Sequence, residues 1–372
     1  MIQTYSSTIR RKEMEAVLTC MVDEKIGPGE MNQRLTQTYR ELSGCDGCVA
    51  LRSPSVALEY ALKAISLPKE SGIMISALAP FWQFAAIEKL GYKPVVLDVD
   101  METSLVTVEK VQEGIKCGGR LLILHETMGI LPSIKDFLEL DIPVIEDISQ
   151  SALSFYPLEE GEERKPLPSE ESSSGEKNES EGELQEPKGK RAGSYGVYSI
   201  LGMEDQDIVT AGGGAVLIAP CRKEWIVLKN LIQQAPSTDI MPDMNAALAF
   251  VELKEFARNE KVRRELFTLY SRSIMAGKHK TFIREKDFGS TIYSFPLLLN
   301  SGFKDVKSYG MHKGIEVKLA FEKSVIAVKN EEYSSQCMNA SSIALRCALF
   351  PLYPRLGQKD VARIVKVLSS LP

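Results

Sequence analysis

Asp147 closes the apolar run PVIED, and Gln150 follows three residues later, where a helix would begin. A carboxylate at the carboxyl end of a strand can keep the ring nitrogen of a heterocyclic cofactor protonated, and so maintain that ring as an electron sink. Alone, the pattern is weak, because an acid at a strand end is often only a helix cap. Other residues of matching chemistry are spread along the chain. Ser53 and Ser55, in SPSVALEYAL, stand at a predicted helix N-terminus, where hydroxyls and free N–H groups suit a phosphate. Phe84, in FWQFAAIEKLG, offers a ring for stacking, and His125 ends the strand LLILH. Ser199 lies in GSYGVYSI, ahead of the glycine-rich strand AGGGAVLIA.

Residues so far apart meet only if the fold gathers strand ends along one edge. Strand-like runs are CVALRS (48–53), GIMISAL (72–78), PVVLDV (94–99), LLILH (121–125), PVIED (143–147), YGVYSI (195–200) and GAVLIA (214–219). Helical patterns fall between them, at 53–65 and 81–91, after two N-terminal helices separated by the turn Gly27-Pro28-Gly29. This alternation predicts an α/β fold with a mostly parallel, doubly wound sheet that binds ligands at the carboxyl ends of its strands. A long helical stretch follows Ile240, beginning DMNAALAFVELKEF. After it come a strand (SFPLLLN), a helix (FKDVKSYGMHKG) and a closing helix (QKDVARIVKVLSSL). Residues 1–239 therefore read as a large domain and 240–372 as a smaller α+β one, a division that suits 372 residues at roughly 100–200 per domain.

The net charge of -5 resides wholly in Leu158–Arg191, which holds 11 glutamates against 6 lysines and arginines. The rest is balanced, so no basic face for nucleic acid or an anionic membrane is expected. No apolar run approaches the ~20 residues of a membrane span, and the N-terminus does not read as a secretory signal. Seven scattered cysteines, an odd number, suit a reducing cytoplasm. Cys45-Asp-Gly-Cys48 has the spacing of a redox or zinc pair, but it lacks the further ligands of a zinc site, so no metal is expected; it reads first as coincidence at the start of a strand, with a redox role as the lesser alternative.

In their order and spacing, these segments resemble the DegT/DnrJ/StrS aminotransferases, fold-type-I pyridoxal-phosphate enzymes acting on nucleotide-linked keto-sugars. The resemblance runs from about Glu13 to the C-terminus, interrupted by the acidic segment. It implies a seven-stranded sheet, a homodimer and a sugar-nucleotide ligand. It also implies that Asp147 faces the pyridine nitrogen, Gln150 the phenolic oxygen and Phe84 the ring, while Ser53, Ser55 and Ser199 hold the phosphate. His125 packs near its strand end in this reading. The departures are equally specific. The phosphate turn reads Ser53-Pro54-Ser55, and proline removes a donor. The segment the partner subunit would receive reads Asp239-Ile240-Met241, without the family's asparagine and arginine. The Schiff-base position falls at Gln206 or Asp207, within ILGMEDQDIVTAG, which contains no lysine and no histidine.

A lysine supplies both the tether and the proton shuttle of transamination. The chain therefore reads as a degenerate, non-catalytic relative, a ligand-binding or regulatory homodimer that holds pyridoxal or pyridoxamine phosphate noncovalently if at all. The alternatives are a pyridoxamine-phosphate-dependent sugar dehydratase, with Glu204, Asp205 or Asp207 as base, and an active aminotransferase whose lysine arrives from elsewhere in the fold. The segment 158–191 has too few apolar residues to offset its ordering entropy and is expected to be disordered. Replacing it with a short Gly/Ser bridge should leave the thermal unfolding midpoint within a few degrees of the parent. A loss of many degrees would show that it packs on the domain.

Overall fold

A computed structural model describes residues 1–157, 189–274, 279–285 and 289–372. Helices α1 (Arg11–Val22) and α2 (Glu30–Ser43) precede β1 (Gly47–Leu51), and Gly44, left-handed at φ 70°, ends α2. Helix α3 (Pro54–Ile65) starts where the sequence dictates. The Ser53 hydroxyl accepts the Val56 N–H at 3.2 Å, and Pro54 occupies a first-turn position whose N–H would have no partner. Then come β2 (Gly72–Ser76), α4 (Phe81–Lys89), β3 (Lys93–Leu97), α5 (Val108–Lys116) and β4 (Gly119–His125). They are followed by α6 (Ile134–Leu138), β5 (Val144–Asp147), β6 (Phe155–Pro157) and β7 (Gly189–Arg191). The strands β8 (Tyr198–Gly202) and β9 (Ala215–Ala219) complete the large sheet.

All seven expected strands lie in that one sheet, in the order β1-β9-β8-β5-β4-β2-β3. Only β9 is antiparallel to its neighbours, so the other six end on the same edge. The sheet is covered on both faces. One layer brings α3, α4 and Leu228 of α7 (Arg222–Ile232) against Ile73, Ile123, Ile145 and Leu217. The other brings α2, α5 and α8 (Asp243–Lys254) against Met74, Leu122, Leu124 and Val216. Asp243 ties α8 to α2: its carboxylate accepts the N–H groups of Gly29 (2.8 Å), Asn32 (3.0 Å) and Met31 (3.1 Å), capping α2 from a distant part of the chain. A second sheet, β10 (Phe295–Leu298), β12 (Cys347–Phe350) and β11 (Lys318–Leu319), is antiparallel and has its own core with Leu266, Tyr270 and Ile364.

Three expectations need correction. The long helix after Ile240 is two helices, α8 and α9 (Phe256–Ile274), with the break at Glu255. Ala246, Ala249 and Leu253 serve the large sheet, whereas Leu266, Tyr270 and Ile274 serve the small one, and one straight rod cannot face both. No glycine or proline marks the break. The strand expected at 195–200 begins at Tyr198, because Gly193–Gly196 wraps a carboxylate instead. Residues 189–191, assigned by composition to the disordered segment, form β7 against β6. The remainder of that expectation, residues 158–188, lies outside the described residues.

Gly47 shows how tightly β1 is packed. A Cβ there would lie 2.0 Å from the Trp225 ring, so Gly47→Ala is expected to cost about 1–3 kcal/mol by overpacking. Gly27→Ala, where nothing lies within 4 Å, is the matched control. Urea unfolding of the two variants checks the contrast.

Candidate functional site

Parallel pairing of β4 with β5 sets His125 beside Asp147, the last residues of their strands. Both are buried, and the His125 ring contacts Asp147 Oδ2 through Nδ1 at 2.8 Å. A carboxylate only accepts, so Nδ1 must carry the proton. Gln83, on α4, donates its amide N–H to the same oxygen at 2.7 Å. Asp147 Oδ1 accepts from the Ser149 hydroxyl (2.6 Å) and the Ser149 N–H (3.2 Å). Burial works against the ionised form of Asp147. The His125 charge, with the hydrogen bonds from His125 and Ser149, outweighs it and holds the carboxyl below its ordinary value.

The next residues along this edge are committed in the same way. Gln150 accepts the Met128 N–H at 2.6 Å, fixing a turn in which Met128 is left-handed at φ 57°. Ser199, on β8, is buried and donates to the Gly193 carbonyl at 2.9 Å. Glu146 lies on the opposite face of β5 from Asp147 and accepts the N–H groups of Gly193 (2.9 Å), Tyr195 (2.8 Å) and Gly196 (2.5 Å). That explains the glycines of GSYG: Gly193 has φ 84°, and a Cβ at Gly196 would lie 2.6 Å from the Val144 carbonyl. Ser53 caps α3, and Ser55 is half-buried in its first turn. Phe84 has its own set of ring contacts. It stacks on Phe81 (5.6 Å), meets Tyr333 edge-on (6.2 Å) and lies under the Lys329 ammonium (5.0 Å).

The hairpin between β8 and β9 carries Gln206 and Asp207, the two residues at which the resemblance sets the Schiff-base lysine. Met203 N donates to the Gly214 carbonyl, and Ala211 N and Gly213 N donate to the Met203 carbonyl. Asn245 bonds the Ala211 carbonyl at 2.8 Å, and Arg263 bonds that of Ile208 at 3.2 Å. Asp207 turns inward and accepts the Glu204 N–H at 2.7 Å. A Cβ on Gly202 would lie 2.7 Å from both Asp207 Oδ2 and Ser149 Oγ, so glycine here is what lets the two side chains approach. Burial pushes the Asp207 carboxyl up to about 8, against the Glu204 N–H bond and with the charges of Glu204, Asp147 and Asp205. Glu204 is raised as well, by burial and by Asp205, with Lys323 opposing. The segment Asp239-Ile240-Met241 is anchored beside β1 and α3: Tyr60 donates to the Asp239 carboxylate at 2.8 Å, and Arg52 N donates to the Asp239 carbonyl. Met241 lies against Gly214.

These residues do not fit a tethered pyridoxal phosphate. A carboxylate has about four acceptor positions, and Asp147 spends them on Gln83, His125 and two groups of Ser149. A pyridinium N–H would have to displace one of them. Asp207, not an amine, lies in the hairpin, and Pro54 and the Ser199 hydroxyl, which donates to the Gly193 carbonyl, thin the phosphate cradle, whereas Ser53 accepts the Val56 N–H and keeps its own proton. The sequence reading missed Gln83 and Ser149, and it gave Glu146 no role. The only sequence signal for Gln83 is that it lies one residue before Phe84, on the helix following β2. Gln83 also keeps a buried amide oxygen without a partner.

Comparison with known proteins agrees with the class of protein that this sheet and edge define. The DegT/DnrJ/EryC1/StrS aminotransferase family matches residues 7–157 and 235–369, and the chain belongs to that family. Its fold is that of the fold-type-I aminotransferases. It is similar to the aminotransferase TlmJ of Streptoalloteichus hindustanus, with 15% identity, 99% of this chain and 98% of that one covered, and a TM-score of 0.82. It is also similar to the PMP form of Spr1654 of Streptococcus pneumoniae, described as a sugar aminotransferase (14%, 97% and 95%, TM-score 0.81). A variant of GDP-4-keto-6-deoxymannose-3-dehydratase with bound GDP-perosamine matches at 14% identity, over 99% and 100% of the two chains, with a TM-score of 0.79. At such identities the likeness is one of fold.

Because folding raises the Asp207 carboxyl from 3.8 to about 8, the native state holds this proton more tightly than the unfolded chain. The associated stability is complete below 3.8 and is lost as pH rises through 8. Asp207→Asn should therefore raise the unfolding free energy at pH 8, on the order of 1 kcal/mol after solvent screening, and change it little at pH 4. Denaturant titrations at both pH values check the sign.

Proposed function

We propose that this protein is a degenerate member of its family, a ligand-binding or regulatory homodimer without transaminase activity. The observation that supports the reading is the hairpin from Met203 to Gly214, to which we assign the Schiff-base position and which carries Asp207 and no lysine. The filled coordination of Asp147 supports it independently. The chain's own groups then bind and orient. Asp147, His125, Gln83 and Ser149 form a rigid floor, and a sugar nucleotide is the proposed ligand above it. Pyridoxal or pyridoxamine phosphate would be held noncovalently, through Asp147, Gln150 and the serines at 53, 55 and 199, once Gln83 or His125 yields a position. The lobes 1–239 and 240–372 belong to the same proposal, with α8 lying on the large sheet. So does the homodimer: Met14, Leu18 and Met21, spaced along one face of α1, are more than half exposed and give a second copy an apolar surface. The proposed location is the cytoplasm, consistent with seven free cysteines. Among the described residues no helix is long and apolar enough to cross a membrane.

One observation favours a second reading, the pyridoxamine-phosphate-dependent dehydratase. A carboxyl that titrates at about 8 can both give and take a proton near neutral pH, which is what a general base requires.

Absorption spectra of the purified protein separate these readings. The proposal expects no visible band with added pyridoxal phosphate and no borohydride-stable adduct, and it expects a visible band to be gained by Asp207→Lys or Gln206→Lys. Saturable binding of pyridoxamine phosphate with turnover of a keto-sugar nucleotide, lost in Asp207→Asn, would establish the dehydratase instead. An adduct in the unmodified protein mapped to Lys323, the lysine whose charge reaches Glu204, would overturn both.

A further inference from the structure

The motif Cys45-Asp46-Gly47-Cys48 has no part in the cofactor site. It spans the junction between α2, ended by Gly44, and β1, with a bend at Asp46. Strand alternation sends Cys48 and Ala50 into the layer beneath α2, while Val49 and Leu51 face the other layer. Cys45 packs on that same cluster under α2, so the two side chains lie on one side of the sheet. Their exposures differ: Cys45 is half-buried, whereas Cys48 is 4% exposed, with its Sγ 3.3 Å from the Thr36 carbonyl, which takes the S–H proton when Cys45 does not. Of the other cysteines, Cys20, Cys337 and Cys347 are buried, and Cys117 and Cys221 are exposed.

We infer that Cys45 and Cys48 form a reversible dithiol–disulfide site, Cys45 attacking and Cys48 resolving. The electrostatics point the same way. Hydrogen bonding with the Cys48 thiol lowers the Cys45 thiol against its burial, and Ser43 and Arg40 add to that. Burial raises the Cys48 thiol well above its ordinary value. A reachable low-pKa thiol beside a buried partner is the arrangement that exchange chemistry selects. With a low-molecular-weight disulfide such as glutathione disulfide as oxidant, the Cys45 thiolate attacks one sulfur and expels a glutathione thiolate. Cys48 then loses its proton to solvent and attacks Cys45 Sγ, breaking the mixed disulfide and releasing the second glutathione. Two protein thiols are oxidised by two electrons, and one glutathione disulfide becomes two glutathiones.

The test uses the full chain, equilibrated in glutathione buffers from reducing to oxidising, quenched with an alkylating agent and mapped by peptide mass spectrometry. The expected result is joint loss of both alkylation sites from the peptide carrying Cys45 and Cys48, reversed by dithiothreitol. Cys48→Ala should trap Cys45 as a glutathione mixed disulfide, and Cys45→Ser should leave Cys48 reduced. Limited alkylation of the native protein at pH 7 should modify Cys45 several-fold faster than Cys117 or Cys221. The inference is overturned if both thiols stay alkylatable in pure glutathione disulfide, or if Cys117 and Cys221 react ahead of Cys45. Both readouts come from the unmodified protein and stand even if a variant does not fold.

Discussion

Everything at the carboxyl edge of the large sheet depends on one buried anion, the Asp147 carboxylate. An ionised carboxylate inside a protein persists only when its acceptor positions are met. Here they are met by residues from three places: His125 on β4, Gln83 on α4 and Ser149 just beyond β5. The network extends further, because Ser149 also accepts the Gly202 N–H at 2.8 Å and so joins β5 to the end of β8. Removing any one partner would leave a buried charge short of a donor, so strand order, helix placement and hairpin position are coupled through this group.

The same economy governs the neighbouring acid. Glu146 points to the other face and is met by three backbone N–H groups of the glycine-rich loop. Burial still raises its carboxyl, which shows how far the interior resists charge even when donors are supplied. Glu126, held by the Ser151 and Tyr156 hydroxyls, is raised well above its ordinary value by burial and by the charge of Glu146. Of three neighbouring acids at the ends of β4 and β5, Asp147 alone is pushed toward ionisation, because it alone faces a histidine. The edge thus retains one fixed negative charge. The hairpin beside it carries Glu204, Asp205 and Asp207, of which Asp207 is held protonated below about pH 8 and Glu204 is raised as well. Asn245 and Arg263 pin the hairpin through its Ala211 and Ile208 carbonyls.

Much of the architecture was legible from the residues alone. The seven strands follow from apolar runs bounded by turn residues, and the start of α3 from Ser53-Pro54, because period and capping are local properties of a chain. The absence of lysine between Ser199 and Gly213 is likewise a fact of the sequence. It bears directly on chemistry, since no packing arrangement can make an imine from aspartate or glutamine.

Tertiary structure decided the partners. No periodicity indicates that Gln83 rather than Phe84 reaches Asp147: two adjacent residues on a helix point about 100° apart, and only docking of α4 on β2 selects which of them faces the acid. The break at Glu255 is equally invisible locally, arising because two separate cores compete for one helical stretch. The pairing of His125 with Asp147 depends on a parallel register set by whole strands. Sequence fixes which groups exist and what local shape carries them, but hydrogen-bond capacity is finite. Which donors fill a given acceptor is settled only when distant segments are brought together.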